Sequence, residues 1–199
     1  MSNAGGMSTV TRYTDMLAGN TTWNPWEPAG AYDALATVTV PSGGAANVEF
    51  AGIPSGYKHL QVRGIVMNAA SNDNLAIRVN GDTGSNYSSH QLQGQGSGTP
   101  TAAASSSQTA AYLSGLVIAS SSYPFAFVYD ILDYASITKN KTIRGLSGQD
   151  GNGTGTATDW RITETSGAWH NTNAVTSLRF YLPAGNMGNY TQFALYGVK

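Results

Sequence analysis

Residues 74–90 read NLAIRVNGDTGSNYSSH, and the strand pattern at their start decides the fold class. Leu75, Ile77 and Val79 alternate with residues that are polar or small, as expected for a strand with one buried face. Asn80 and Gly81 suit the turn that follows, because both residue types accept a positive φ. We therefore interpret the rest of the stretch as a hairpin end, with a metal loop and a glycosylation site as the alternatives.

The same kind of pattern recurs from Tyr32 to the end of the chain. In VTSLRFYLP, Leu178, Phe180 and Leu182 form the inward set. No segment keeps helical periodicity over three turns, and 24 glycines disfavour long helices. The other candidate strands read YDALATVTV, ANVEF, KHLQVRGIVM, AAYLSGLVIA, FAFVYDILDY, KTIRGLSG, WRITET and QFALYGV. The chain is therefore predicted to be all-β.

About ten strands at this spacing predict two packed sheets or a closed barrel. No internal repeat indicates a propeller, and the chain lacks the cysteines of a typical immunoglobulin core. We expect a jelly-roll-like antiparallel β-sandwich over residues 32–199. Residues 94–111, GQGSGTPTAAASSSQTAA, are low in complexity and are expected to form a long loop at the rim.

Residues 1–31 keep no sustained periodicity and contain TTWNPWEPAG. Proline fixes its own φ and biases the preceding residue toward extended geometry, so we expect an extended arm. A solvated arm would have little reason to carry tryptophan. The aromatic residues either fold back on their own domain or anchor the arm on another subunit, and the candidate anchor residues are Trp23, Pro25, Trp26 and Pro28.

Composition argues against several classes of function. Charged residues make up 11% of the chain and the net charge is -1, so no global basic field would attract nucleic acid. Apolar runs are far shorter than the roughly 20 residues that span a bilayer, and we expect no membrane insertion. There is no cysteine, hence no disulfide or thiolate metal site. The first residues lack the pattern of a signal peptide.

Residues 150–161 come nearest to a metal motif. Asp150, Asn152 and Thr154 match the start of a calcium loop, but Arg161 stands where a bidentate glutamate is needed. We therefore interpret the segment as turn chemistry, with a calcium site at Asp150 and Asp159 as the alternative. Five N-x-S/T triplets occur, and several are expected by chance in a chain so rich in Asn, Ser and Thr.

Catalytic patterns are equally sparse. No G-x-S-x-G elbow surrounds any serine, and the glycine runs do not match a dinucleotide fingerprint. Asp130 and Asp133 lie three residues apart, so on one strand they would face opposite sides and could not act as a pair. We expect no enzyme activity, no catalytic residue, no cofactor and no metal ligand.

Residues 37–64, TVTVPSGGAANVEFAGIPSGYKHLQVRG, resemble a widespread module of tailed-bacteriophage virion proteins. The pattern is a strand, a Gly/Ser hairpin, a strand that leads to IPSGYKHL, and a strand with an outward arginine. RVNGDTGSNYSSH, DILDYASITKNKTIRGLSG and the closing FALYGVK also look like that module. The resemblance covers Tyr32 to Lys199 in the same order.

Such modules occur in tail fibres, baseplate attachments, and head fibres or decoration proteins. The resemblance implies a non-enzymatic structural protein of the virion, assembled in the host cytoplasm with other phage virion proteins. No shaft of repeats or heptads precedes the module, which favours a small component docked on capsid, neck or tail through residues 1–31.

A second interpretation is a carbohydrate-binding module for receptor recognition, because the phage modules are similar to sandwich carbohydrate-binding domains. Sugar sites combine aromatic faces with amide and carboxylate hydrogen bonds. Candidate contacts to a host surface glycan, all in or next to expected rim loops, are Tyr87, His90, Trp160, Trp169 and Asn171. The alternative is that these aromatic residues pack the core or cover a subunit interface.

Low charge also bears on assembly. The strands YDALATVTV, AAYLSGLVIA and QFALYGV together carry only Asp33, so their outward positions would be exposed apolar surface in a monomer. We expect a homo-oligomer, and the resemblance implies a trimer. The alternative is that one sandwich covers both faces of these strands with its own loops.

Overall fold

The computed structural model describes residues 31–68, 72–96, 98–117, 120–151 and 160–199, and these residues contain twelve β-strands and no helix. The all-β prediction is confirmed. The strands are β1 (Tyr32–Thr39), β2 (Asn47–Ala51), β3 (His59–Asn68), β4 (Asp73–Val79), β5 (Tyr87–Gln95), β6 (Thr101–Gln108), β7 (Ala111–Val117), β8 (Ser120–Leu132), β9 (Lys141–Gln149), β10 (Arg161–Trp169), β11 (Ser177–Tyr181) and β12 (Gln192–Val198).

The strands form two antiparallel sheets of unequal width. The wide sheet has eight strands in the order β1-β12-β3-β8-β9-β10-β5-β6, and the narrow sheet has four in the order β2-β11-β4-β7. Buried residues of both sheets share one hydrophobic core, which makes the fold a β-sandwich. We call the side of the wide sheet that faces away from this core the outer face. Of the three weakly charged strands, β1 and β7 are edge strands, whereas β12 lies inside the wide sheet.

Aromatic rings fill the centre of the core. The ring of Phe127 lies 4.6 Å from that of Tyr129 and 5.2 Å from that of Phe193, and Phe180 of the narrow sheet lies 6.3 Å away. Glycine makes room for these rings within the wide sheet, because a Cβ atom at Gly145 would lie 2.0 Å from Cδ1 of Tyr129. The predicted inward sets of NLAIRVN and VTSLRFYLP are buried as expected, since all six side chains are at most 3% exposed.

The predicted turn after β4 is present, but it does not end a hairpin. Asn80 and Gly81 have φ values of 52° and 68°, and the amide of Asp82 donates to the carbonyl of Val79 at 2.9 Å. However, β4 belongs to the narrow sheet and β5 to the wide sheet, so the turn carries the chain across the sandwich. Asn80 fixes this crossing because its side chain bonds the carbonyl of Ala174 and the amide of Thr176, both at 2.8 Å.

The low-complexity segment was expected to be a loop, and this prediction is wrong for most of it. Residues 101–108 form β6, which pairs with β5 from Thr101 opposite Gln93 to Ser105 opposite Ser89. The hydroxyl groups of Ser89 and Ser105 lie 2.9 Å apart. Pairing with a long neighbour overrides the weak strand propensity of Ala and Ser. This strand and β5 raise the strand number above the expected ten or so.

Polar side chains line part of the inner face of the wide sheet. Two threonines of β10 on this face differ in whether their hydroxyl groups are hydrogen-bonded. Thr163 and Thr165 are 1% and 3% exposed. The Thr165 hydroxyl donates to the carbonyl of Leu113 in the opposite sheet at 3.0 Å. The Thr163 hydroxyl has no hydrogen-bond partner within the part of the chain that the structure describes.

Valine substitutions at these two positions should therefore change stability in opposite directions. Thr163→Val removes an unpaired buried hydroxyl and should raise the free energy of unfolding by about 1 kcal/mol, whereas Thr165→Val should lower it by a similar amount. Each variant is the control of the other, because strand, face and side-chain shape are shared. Urea denaturation measures both, and equal effects would contradict the hydrogen-bond assignment.

The predicted N-terminal arm, including Trp23, Pro25, Trp26 and Pro28, lies outside the described residues, apart from Ala31 at its end. Its extended conformation and its role as an anchor stay predictions.

Candidate binding surface

The loop motifs that carry the phage resemblance meet at one end of the sandwich. The hydroxyl of Tyr134 donates to the carbonyl of Pro54 and accepts from the amide of Tyr57 at 3.4 Å. Nδ1 of His59 accepts from the amide of Asp133 at 2.9 Å. Hydrogen bonds therefore join the segments IPSGYKHL and DILDYAS. Tyr134 and His59 have a structural role in holding these two loops together.

Lys141 is buried within this loop cluster and bonds two of its loops. Its side chain is 0% exposed, and Nζ donates to the carbonyls of Lys139 at 2.7 Å and Thr172 at 3.1 Å. Burial lowers the pKa of Lys141, and the nearby Asp133 opposes that shift. The ammonium group ties the loop before β9 to the loop after β10, which is a structural role.

Asp82 is the centre of a second hydrogen-bonded cluster, in the turn between the sheets. Its carboxylate accepts from Nε1 of Trp169 at 2.7 Å, Nδ2 of Asn86 at 2.9 Å and the amide of Gly84 at 2.8 Å. Partial burial alone would raise the pKa of Asp82, but these hydrogen bonds lower it below the ordinary value of 3.8. These three hydrogen bonds give the carboxylate a structural role in the turn.

Two of the five candidate glycan contacts belong to the core. Tyr87 is 0% exposed and Trp169 is 1% exposed. The hydroxyl of Tyr87 accepts from the amide of Val79 at 3.0 Å, and burial raises the pKa of this tyrosine to about 12. Neither ring offers a face to a ligand, in agreement with the alternative that these aromatic residues pack the core.

The other three candidates are separated. Asn171 lies in the loop after β10, where its Oδ1 accepts from the amide of Asn173 at 2.9 Å. Trp160 is half-buried beside Gly151 and meets the ring of Tyr123 edge-on at 5.4 Å. His90 is exposed on β5. The structure brings only Trp160 and His90 to the outer face, where they line two different hollows.

The outer face carries apolar side chains that sequence patterns did not reveal. Leu92, Leu146 and Ile162 are 53–57% exposed, and Ile65 and Val128 are each 37% exposed. We call these five residues the apolar patch. The five residues lie on β3, β8, β9, β10 and β5, so the patch crosses five adjacent strands. Val128 lies opposite Leu146, whereas Glu164 lies between Leu146 and Leu92. The signal was available in KTIRGLSG, where Ile143 and Leu146 are three apart and must face opposite sides.

Two hollows lie on this face. The larger is an open groove of about 1660 Å³ whose lining includes Ala126, Gly148, Gly94 and Ile162, with Trp160 at its wall. The smaller is about 470 Å³ and lies beside β6, where its lining includes His90, Leu92 and Ala104. Arg144 and Glu164 line both hollows, so the face combines apolar area with charges of both signs.

Asp130 and Asp133, which were not expected to act as a pair, lie in different places, and the calcium alternative rests on aspartates elsewhere in the chain. Asp130 lies on the outer face and accepts from Nε2 of Gln61 at 2.7 Å, whereas Asp133 lies in the turn after β8 and pairs with Lys139 at 2.9 Å. Asp150 is exposed, and Asp159 is outside the described residues. Among the residues with described positions, no group of three or more His, Cys, Asp or Glu could hold a metal ion.

No helix within the described ranges is long and apolar enough to cross a membrane.

Comparisons with known proteins add little. No known family model matches the chain, and no curated protein matches it. A crystal structure of a protein of unknown function from Shewanella oneidensis MR-1 is similar at 10% identity, covering 85% of this chain and 76% of that one, with a TM-score of 0.25. A likeness of this size carries no argument about fold or function.

Proposed function

We propose that this chain is a non-enzymatic structural protein of a tailed-bacteriophage virion. It docks on the capsid, neck or tail through residues 1–31, associates with copies of itself, and displays the sandwich on the particle. Its partners are other virion proteins, and three is the copy number that the resemblance implies.

The observation that carries the proposal is the apolar patch. Three of its side chains are more than half exposed on the face of the wide sheet that points away from the core. Exposed apolar side chains grouped on one face favour a contact surface, because contact with a partner removes them from water. Arg144, Glu164 and Asp130 near the patch would fix the orientation of such a contact.

The loop cluster supports the same proposal. The polar groups of Tyr134, His59 and Lys141 form hydrogen bonds with backbone atoms of the loops in this cluster. They therefore act as a scaffold, as the resemblance implies for a module without fixed catalytic residues. The arm adds Trp23 and Trp26, each of which could bury a large aromatic surface on a neighbouring subunit.

Incorporation into particles tests the proposal. Tagged chains would be supplied during phage assembly, and their amount in density-gradient-purified particles measured by immunoblot. Full-length protein should be incorporated, whereas deletion of residues 1–31 and the Leu146→Lys variant should each reduce incorporation at least about tenfold, since burying a charge or losing two tryptophans costs more than 1.4 kcal/mol.

Thr142→Lys is the matched control, because Thr142 is exposed on the same strand and face as Leu146 but outside the apolar patch. It should be incorporated normally, and circular dichroism should show all variants folded. Particles that exclude the full-length chain would overturn the proposed function. Particles that accept the truncated chain would overturn only the role of the arm.

A second candidate function is glycan binding in the groove of the outer face. The observation in its favour is that Trp160, Asp130 and Glu164 line one groove, which supplies an aromatic ring and two carboxylates. A glycan array with the full chain, and with Trp160→Ala as the control, tests it. Binding that survives the substitution, or no binding at all, would remove this candidate.

A further inference from the structure

β6 is an unusual edge strand. It is the last strand of the wide sheet and pairs only with β5 among the described strands. Six of its eight residues are exposed, and these include Ala102 and Ala104 on the outer side and Thr101 and Ala103 on the other. The strand therefore has open surface on both faces and along its edge.

The sequence of β6, TAAASSSQ, gives the strand little stability of its own. Ala and Ser have weak strand propensity, and neither face of the strand is buried against the narrow sheet. Among the described residues, the strand is held by the ladder to β5 and by the contact between the Ser89 and Ser105 hydroxyl groups. A partner on the free edge would supply the missing backbone hydrogen bonds.

The other three edge strands carry the usual protection. β1 contains Asp33, paired with Lys199 at 2.8 Å, and a register shift after Ala34. β2 has only five residues and carries Glu49, and the pairing of β7 is irregular opposite β4. β6 contains no charge and no proline. Its pairing with β5 is regular from Thr101 to Ser105 and shifts only beyond Ser105, where Ser107 has a φ of 55°, so its first five residues form the open edge. Among the described edges it is the most open to pairing.

We propose that β6 pairs antiparallel with β6 of a second copy of this chain across a two-fold axis. The contact joins the two wide sheets into one continuous sheet. This inference rests on the homo-oligomer in the proposed function, names the surface that forms it, and gives an even number of copies in place of the trimer that the resemblance implies.

The side chains of β6 suit pairing with themselves. A two-fold axis perpendicular to the sheet keeps outer face next to outer face, so only residues of the same face oppose each other. Registers centred on Ala103 or on Ala104 then oppose only Ala, Ser and Thr along the regular part of the strand. These side chains bring no like charges together and no bulky groups into contact.

The pairing also extends the apolar patch. Leu92 of the patch lies opposite Ala102 of β6, next to the proposed junction. The patches of the two copies would therefore lie on the same side of one continuous sheet, as a double surface for a neighbouring virion subunit.

The test is the mass of the purified full-length chain at micromolar concentration, measured by sedimentation velocity. Wild-type protein should contain an even number of copies. The double variant Ala102→Lys/Ala104→Lys places like charges directly opposite each other in both registers, and should weaken self-association at least about tenfold. Ala34→Lys/Ala36→Lys on β1, the other edge of the wide sheet, is the matched control and should leave the mass unchanged.

Hydrogen exchange on the wild-type chain gives a second measurement that needs no variant. Backbone amides of residues 101–105 that face the free edge should gain protection as protein concentration rises. A trimer, or any assembly that the β6 substitutions leave intact, would overturn the β6 contact while keeping the homo-oligomer. A wild-type monomer without concentration-dependent protection would overturn both.

Discussion

Replacing Phe127 with alanine is expected to lower the free energy of unfolding by about 3–5 kcal/mol, the range for a buried aromatic residue whose cavity cannot collapse. Phe127 is 3% exposed and stacks on Tyr129 at 4.6 Å between centroids. Its ring also meets Phe180 of the narrow sheet and covers Gly64, where a Cβ atom would lie 2.7 Å from Cζ. The substitution therefore removes packing within the wide sheet and between the sheets.

Val128→Ala is the control, because the adjacent residue of β8 faces the outer side and is 37% exposed. It should lower the free energy of unfolding by less than about 1 kcal/mol. Urea denaturation of both variants measures the difference. Similar losses at the two positions would show that the core does not lie on the Phe127 side of the sheet.

Asp82→Ala should be the second most destabilising change, with a loss of about 3 kcal/mol at neutral pH. The indole N–H of Trp169, a residue 1% exposed, would lose its acceptor, and so would the amide of Gly84 and the side chain of Asn86. Because this turn carries the chain from one sheet to the other, loss of its hydrogen bonds should weaken the packing of both sheets.

The effect of Asp82 should also depend on pH. Its pKa in the folded chain lies below the unfolded value of 3.8, so the ionised carboxylate stabilises the fold above about pH 4. That contribution is lost as the pH falls through the folded pKa. The difference in unfolding free energy between wild type and Asp82→Ala should therefore shrink below about pH 4.

Asp133→Asn is the matched control for this measurement. Asp133 is 42% exposed where it pairs with Lys139, and asparagine tolerates its φ of 48°. Stability near neutral pH should change little. A constant gap between wild type and Asp82→Ala down to pH 2 would contradict the assignment of the ionised Asp82 carboxylate.

Alternation along single strands could be read from the sequence because it depends on local geometry. Leu75, Ile77 and Val79 are buried as predicted, and so are the inward residues of β11. The Asn80–Gly81 turn was also predictable, because few residue pairs accept two positive φ values in succession.

The assignment of strands to sheets could not be read in this way. The turn at Asn80 looks the same in sequence whether it closes a hairpin or passes to the other sheet. The contacts that hold the crossing come from far along the chain: Asn80 bonds Thr176, and Asp82 bonds Trp169, 87 positions away. The strand β6 was missed for a similar reason, since its partner β5, rather than its own Ala and Ser, makes it extended.

The candidate site was predicted least well. Tyr87 and Trp169 look like sugar-binding aromatic residues in sequence, but their polar atoms bond to the turn at Asp82 and their rings fill the core. Ile162 went unnoticed because β10 has an inverted pattern, with Thr163 and Thr165 inside and Ile162 outside. Such an inversion becomes visible only when the neighbouring sheet is known.

The most direct test of a virion role is a cryo-EM map of purified phage particles from the strain that encodes this chain. We expect density for the sandwich at a fixed position on the capsid, neck or tail, with the apolar patch of the wide sheet against a neighbouring subunit. Particles without this chain, or with the whole outer face open to solvent, would contradict the proposed function.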